Sequence, residues 1–406
     1  MKSFKIPSDL IEREVYTDRV KPFTGKPLIK VFTGQRRVGK SYLLYQIMTR
    51  IRREDPEAHI IYINKEDISF DFIRDYSGLV AYIETEKADQ KMNYIFIDEI
   101  QNIAEFEKAV RSLQLEKSND IYITGSNARL LSGELATLLG GRTIEFKVYS
   151  LSYKEFLMFH KLNDEDESLR KYSLYGGLPF LLNMRLEDGT VFEYLKNIYN
   201  TIVLRDVVSR HKLRNIYFLE QLIWFLADNT GSLFSAKSIS DFLKSQRVMI
   251  PHNQVQAYIR YLTDAFLIHR VHRYDITGKR IFETGEKYYF ENMGIRNAVT
   301  GYKPGDKSKV IENLVYNELL SRGYEIKTGW KGGREIDFIA TMDNETKYIQ
   351  VALLLDTEAT VTREFGNLLD IQDNYPKMVI STDLQYRNTV KGVEHINLRK
   401  FLMGAS

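Results

Sequence analysis

The chain has 406 residues, 44% of them hydrophobic, which is enough apolar material for more than one packed core. Its 57 Lys and Arg against 54 Asp and Glu leave a net charge of only +3, so any nucleic-acid contact has to come from a local patch. The absence of cysteine excludes disulfides, thiolate metal sites and cysteine nucleophiles. No apolar run approaches the roughly 18 residues of a membrane helix, and no such run follows the polar Met1–Lys5, so a cytoplasmic protein without membrane contact is expected.

In chain order, LIKVFT (Leu28–Thr33) reads as a buried strand ending at a glycine. Ser41–Ile51 follows as a helix with Leu43, Leu44, Ile47, Met48 and Ile51 on one face. HIIYIN (His59–Asn64), NYIFID (Asn93–Asp98) and DIYITG (Asp120–Gly125) are three further apolar runs separated by helical segments. Near-continuous apolar strands alternating with helices predict a parallel sheet covered on both faces. A helix is expected over Leu130–Leu139, and TIEFKVYSL (Thr143–Leu151) as the fifth strand.

The pattern then changes. Residues 152–214 read as helical and Tyr-rich, broken by YGGLP at Tyr175–Pro179. Residues 215–300 read as three helices and a hairpin, whose strands are LIHRVHRYD and a run ending in KYYF, with a DITG turn. GYKPGDKS (Gly301–Ser308) is the clearest linker. Beyond it a helix (Ile311–Arg322), the strands EIDFIAT and KYIQVALL, another helix, KMVIST and EHINL predict a separate small α/β unit over 301–406.

GQRRVGKS, Gly34–Ser41, fits G-x-x-x-x-G-K-[ST] in full, between a strand and an amphipathic helix. Glycines let such a loop wrap with its N–H groups facing phosphates, and the helix N-terminus adds a favourable dipole. Gly34, Arg37, Val38, Gly39, Lys40, Ser41 and the following Tyr42 are the nucleotide-binding candidates. Lys40 is expected to reach the β- and γ-phosphates, and Ser41 to ligate Mg²⁺. Asp98, at the end of an apolar strand, is the second Mg²⁺ candidate, and Glu99 beside it the base that activates water. The competing reading of Glu99 is a solvated loop carboxylate. TGSN at Thr124–Asn127 offers Ser126 and Asn127 as γ-phosphate sensors, or else as a helix N-cap. Arg142 precedes the fifth strand and faces away from its own site, so it is a candidate to act in trans on a neighbour in a homo-oligomer, or else a surface arginine. Arg205, in LRD at Leu204–Asp206, is a weaker candidate.

GQRRVGKS, YIFIDEIQ, ITGSN, LSGELATLLGGR, YSLSYKEF and YGGLP, in this order, resemble the bacterial and archaeal AAA-type P-loop ATPases that carry a C-terminal domain of unknown function. LRDVVSRH, KYYFENMGIRNA, IENLVYNELLSRGYE, EIDFIA and YIQVA extend the resemblance over almost the whole chain. It implies an α/β fold in four parts: a P-loop AAA-type domain over 1–151, a helical lid over 152–214, a winged helix-turn-helix over 215–300 and a restriction-endonuclease-like domain over 301–406. It also implies ATP binding and hydrolysis.

The downstream parts carry weaker signals. Ser235–Arg247 and His252–Ile268 read as two helices joined by a turn at Pro251. From Ser235 to Arg280 there are eight Lys or Arg and three Asp, a local +5 suited to duplex DNA or, equally, to a protein surface. In the last unit Glu312, Asp337 and Gln350 offer oxygens for a metal. The fold that this unit resembles has a lysine where this chain has Ala352, and the sequence offers Lys347 or Arg363 only as unplaced substitutes. A DNA-associated ATPase, an ATP-dependent switch binding protein partners and an ATP-dependent nuclease remain open, and a small-molecule kinase would leave the extra modules without a use.

Overall fold

The computed structural model describes residues 6–128, 139, 141–276, 285–384 and 389–405. Two compact units result: Met1–Tyr149 with Asp264–Phe266, and Ser150–Thr263 with Leu267–Ser406.

The first unit holds helices α1 (Glu14–Val20), α2 (Lys40–Glu54), α3 (Tyr76–Glu86) and α4 (Phe106–Gln114). Its strands are β1 (Ile29–Thr33), β2 (His59–Asn64), β3 (Asn93–Asp98), β4 (Asn119–Gly125) and β5 (Thr143–Lys147). The strands form one sheet in the order β2-β3-β4-β1-β5, parallel throughout. This is the expected α/β architecture. Ile61, Ile63, Ile95, Ile97, Ile121 and Ile123 share a core with Leu79 and Ile83 of α3 and Ala109, Val110 and Leu113 of α4. Leu43, Leu44, Ile47, Met48 and Ile51 of α2 are also buried, as their 3.6-residue spacing predicts. The fifth strand is shorter than expected. It ends at Lys147, because β1 turns into the glycine loop after Thr33 and leaves little to pair with, the last bond running from Val148 N–H to Thr33 O at 2.7 Å. Of the expected helix Leu130–Leu139, residues 130–138 lie outside the described residues.

The second unit begins with α5 (Tyr153–His160), α6 (Asp166–Tyr175) and α7 (Asp188–Thr201), the last prolonged by a π-helical stretch, Ile202–Ser209. YGGLP breaks the helical run for a steric reason, since a Cβ on Gly177 would lie 2.3 Å from Leu151 O. Next come α8 (Ile216–Asp228), α9 (Ala236–Ser245) and α10 (His252–Asp264), then the hairpin β6 (Ile268–Asp275) and β7 (Glu286–Phe290). The last of these helices was expected to reach Ile268. It stops at Asp264, and Phe266, at φ 54°, turns the chain into β6. Of the expected DITG turn, residues 277 and 278 lie outside the described residues, as do Lys279 and Arg280 of the basic window.

The remainder is α11 (Met293–Thr300), α12 (Lys307–Arg322), β8 (Glu325–Lys331), β9 (Arg334–Met342), β10 (Glu345–Ala352), α13 (Glu358–Leu369), β11 (Lys377–Ser381), β12 (Thr389–Val390), β13 (Val393–Asn397) and α14 (Leu398–Leu402). Strand β8 is absent from the sequence reading. It matters, because β6 pairs parallel with it over Arg273–Asp275. One sheet therefore runs β12-β13-β11-β10-β9-β8-β6-β7 among the described residues and crosses the boundary expected at residue 300. Without β6, strand β8 would expose an unpaired edge, which sheets avoid by covering.

Candidate phosphate and metal site

The sheet order sets the site. Strands β3, β4 and β1 are neighbours and parallel, so their carboxyl ends gather at one edge, where ligands bind in open α/β sheets. The glycine loop leaves β1 there, Asp98 and Glu99 leave β3, and Thr124, Ser126 and Asn127 leave β4. All six of Lys40, Asp98, Glu99, Thr124, Ser126 and Asn127 are buried.

Gly34 cannot be replaced in this loop, since at φ +153° its Cβ would lie 2.1 Å from Val148 O. Gly39 (φ 97°) and Arg37 (φ 71°) also hold left-handed conformations, which wrap the chain onto the N-terminus of α2. Val38 is fully buried and Tyr42, on the first turn of the helix, is exposed. Lys40 Nζ donates to the carbonyls of Gly34 and Gln35, each at 2.9 Å, and lies 3.9 Å from Glu99 Oε1.

The Ser41 hydroxyl hydrogen-bonds Asp98. Thr124 is the hub of the three strand ends, its hydroxyl donating to Asp98 Oδ1 and accepting from the Glu99 N–H at 2.9 Å. Burial lifts the Asp98 carboxyl above its ordinary range, against the hydrogen bonds from Ser41 and Thr124. A hydroxyl touching a buried carboxylate short of positive charge is a donor set that fits Mg²⁺, a cation that takes hard oxygens.

Glu99 behaves in the opposite way. Burial pushes its carboxyl up, but Lys40 and Arg36, with hydrogen bonds from Gln101 and Ser126, outweigh it and hold the group below its ordinary value. Its Oε2 accepts from Gln101 Nε2 and from Ser126 Oγ, the latter at 3.1 Å. Glu99 sits at φ 54°, a conformation that costs a non-glycine residue energy and clusters at functional sites. It is therefore a buried carboxylate held toward its charged form rather than a solvated loop carboxylate.

Arg142 stands apart. It immediately precedes β5, and its carbonyl accepts from the Ile29 N–H at 2.9 Å, at the amino end of β1. The length of β1, about 15 Å, separates it from the phosphate loop of its own chain. Its side chain is exposed and reaches Gln114 Oε1 at 3.3 Å. Arg205 lies exposed on the π-helical stretch of the second unit. Sequence reasoning missed Thr124, Arg36 and Gln101, although all three lie within or beside the quoted motifs; nothing in a linear motif shows which neighbour turns inward.

A model of the AAA domain family matches residues 26–157, and one described as a domain of unknown function (DUF8612) matches residues 166–306. An uncharacterized protein of Haemophilus influenzae is 36% identical over 401 residues, covering 97% of this chain and 99% of that one. The chain belongs to this AAA-domain family. A second uncharacterized member, from Methanocaldococcus jannaschii, is 31% identical over 348 residues, covering 81% of this chain and 75% of its own. Among solved structures, the Walker-type ATPase of Pyrococcus abyssi aligns with a TM-score of 0.49 at 15% identity, over 74% of this AAA-domain protein and 99% of that chain. The first unit thus carries a AAA domain. No helix among the described residues is long and apolar enough to cross a membrane.

Proposed function

We propose that this protein binds ATP with Mg²⁺, hydrolyses it, and uses the turnover to control a duplex-DNA-binding surface on its second unit. The observation that supports hydrolysis, beyond binding, is the pairing of Lys40 with an ionised, buried Glu99 beside the Ser41–Asp98 contact. On this reading Lys40 leaves the Gly34 and Gln35 carbonyls for the β- and γ-phosphates, and the N–H groups of the loop cradle them. Ser41 and Asp98 hold Mg²⁺, which neutralises charge on the phosphate oxygens. Glu99 takes a proton from the attacking water. Asn127 or Ser126 faces the γ-phosphate. Arg142, too far to serve its own loop, completes a neighbour's site within a homo-oligomer.

The DNA surface is the winged helix formed by α8–α10 and the β6–β7 hairpin. Between α10 and the hairpin runs a cleft of about 710 Å³ that includes Asn253, Gln256, Arg260, Arg270, His272 and Arg273. Arginines and amides at a helix and wing suit a phosphate backbone. Some of this charge is already engaged, with Arg270 3.6 Å from Glu286 and the Arg273 guanidinium 3.8 Å over the Trp330 ring. That internal pairing favours a second reading, a switch that binds protein partners. ATP turnover measured with and without duplex DNA separates the two: DNA-stimulated turnover supports the first, and indifference to DNA the second. Lys40→Ala is expected to abolish tight nucleotide binding in calorimetry under either.

A further inference from the structure

Strand β7 has two working faces, because successive strand residues point to opposite sides. Glu286 and Tyr288 line the cleft just described, whereas Lys287, between them, is buried among carboxylates from two other elements. Lys287 Nζ lies 2.8 Å from Glu312 Oε1 on α12, 2.7 Å from Glu335 Oε1 and 3.6 Å from Asp337 Oδ1, the last two on β9. Tyr289, two residues on, donates to the same Glu312 oxygen at 2.6 Å. Asp337 Oδ2 accepts from the Val351 N–H at 2.8 Å, and Gln350 Oε1 accepts from the Asp337 N–H at 3.3 Å.

These are the residues in which the sequence offered a metal site. Neither suggested substitute for the missing lysine is the cation at this pocket: Lys347 lies over the Tyr324 ring and Arg363 pairs with Glu364. Among the described residues no group of three or more His, Asp or Glu side chains is arranged to hold a metal ion. The oxygens of Glu312 and Glu335 converge on the ammonium instead.

We propose that Lys287 is the resident cation of this pocket: its ammonium takes the central position that a divalent metal would need, so the acidic site of the C-terminal sheet is held together, and closed to metal, by a residue of the hairpin. Three carboxylates within 4 Å of one point repel one another unless a positive charge sits between them. Lys287 provides that charge at a site where burial would otherwise strip it, and the carboxylates hold the ammonium charged well above its ordinary range. The same contacts fasten β7, an end strand of the sheet, to α12 and β9. The inference stands apart from ATP turnover and is tested on nucleotide-free protein, so its failure leaves the ATPase reading intact.

The test removes the charge and offers another. In thermal melts, Lys287→Met is expected to unfold at a lower temperature than the native chain, and millimolar Mn²⁺ is expected to raise the variant's transition while leaving that of the native chain unmoved. Adding Asp337→Asn to Lys287→Met is expected to erase the Mn²⁺ response. A folded Lys287→Met that ignores Mn²⁺ overturns the proposal, because the pocket would not then be a cation site. A native chain that Mn²⁺ stabilises, with the effect lost in Asp337→Asn, overturns it as well, because the pocket would then be open to metal. Should Lys287→Met fail to fold, the native and Asp337→Asn melts decide alone: no Mn²⁺ response that depends on Asp337 upholds the closed site.

Discussion

Two carboxylates one residue apart show how environment assigns role. Asp98 is lifted by burial, which outweighs the Ser41 and Thr124 hydroxyls and the Lys40 charge, whereas Glu99 is pulled down by Lys40 and Arg36 despite similar burial. On the proposed mechanism Glu99→Gln keeps the shape, and with it ATP binding, but cannot take a proton, so turnover is expected to fall by about 10²–10⁴-fold in a steady-state phosphate-release assay. Unchanged turnover would place the base elsewhere. A second titration concerns stability alone. His160, against the Phe156 ring, has an Nε2 without a hydrogen-bond partner among the described residues, and burial drops its pKa from 6.5 to about 4. The neutral ring is the one the fold accepts. Its contribution is therefore complete above pH 6.5 and is lost as pH falls from there toward about 4, by up to ~3 kcal/mol and less for the ring's partial exposure. The difference in melting temperature between the native chain and His160→Phe should be constant above pH 7 and shift in the variant's favour below pH 6, the variant losing less.

At the scale of elements, close approach explains motifs that chemistry does not. A Cβ on Gly294, the glycine of MGIRNA, would lie 1.9 Å from the Tyr175 carbonyl that ends α6, whereas one on Gly366 in α13 would meet nothing within 4 Å. Gly294→Ala is expected to cost about 1–3 kcal/mol or more, since helix α11 has to back away from a backbone oxygen. Gly366→Ala is expected to gain roughly 0.5–1 kcal/mol from helix propensity. Chemical denaturation of the two variants checks both signs, and equal effects would remove the steric account. Both glycines were visible in the sequence, but only the packing of α11 against α6 tells them apart.

At the scale of the whole molecule, Arg142 carries the question of assembly. It lies just before the edge strand β5, far from the phosphate loop of its own chain and exposed. If it acts on a neighbour, an Arg142→Ala chain mixed with a Glu99→Gln chain is expected to regain part of the ATP turnover that each lacks, because some composite sites draw Glu99 and Arg142 from unmutated copies. Turnover that stays at the level of the two single variants, with oligomers verified by light scattering, counts against trans action.

Local chemistry was legible without coordinates. The glycine loop, the helix after it and the apolar strands β1 to β4 follow from a spacing and a hydrophobic pattern that depend only on neighbours in sequence; the structure sets the strands within a residue of where they were read, and the helix runs three residues past Ile51 to Glu54. The carboxyl pair Asp98 and Glu99 was legible as a motif, though not as two groups titrating in opposite directions, since Arg36, Thr124 and Ser126 reach them across strands. The least legible feature is the most distant. Lys287 stands 50 residues before Asp337 on a hairpin whose pairing with β8 was not foreseen, and no periodicity or motif ties the two together. A charge buried in a protein is explained by what faces it, and what faces it is decided only when β6 joins β8 and carries β7 and Lys287 to the carboxylates of Glu312, Glu335 and Asp337.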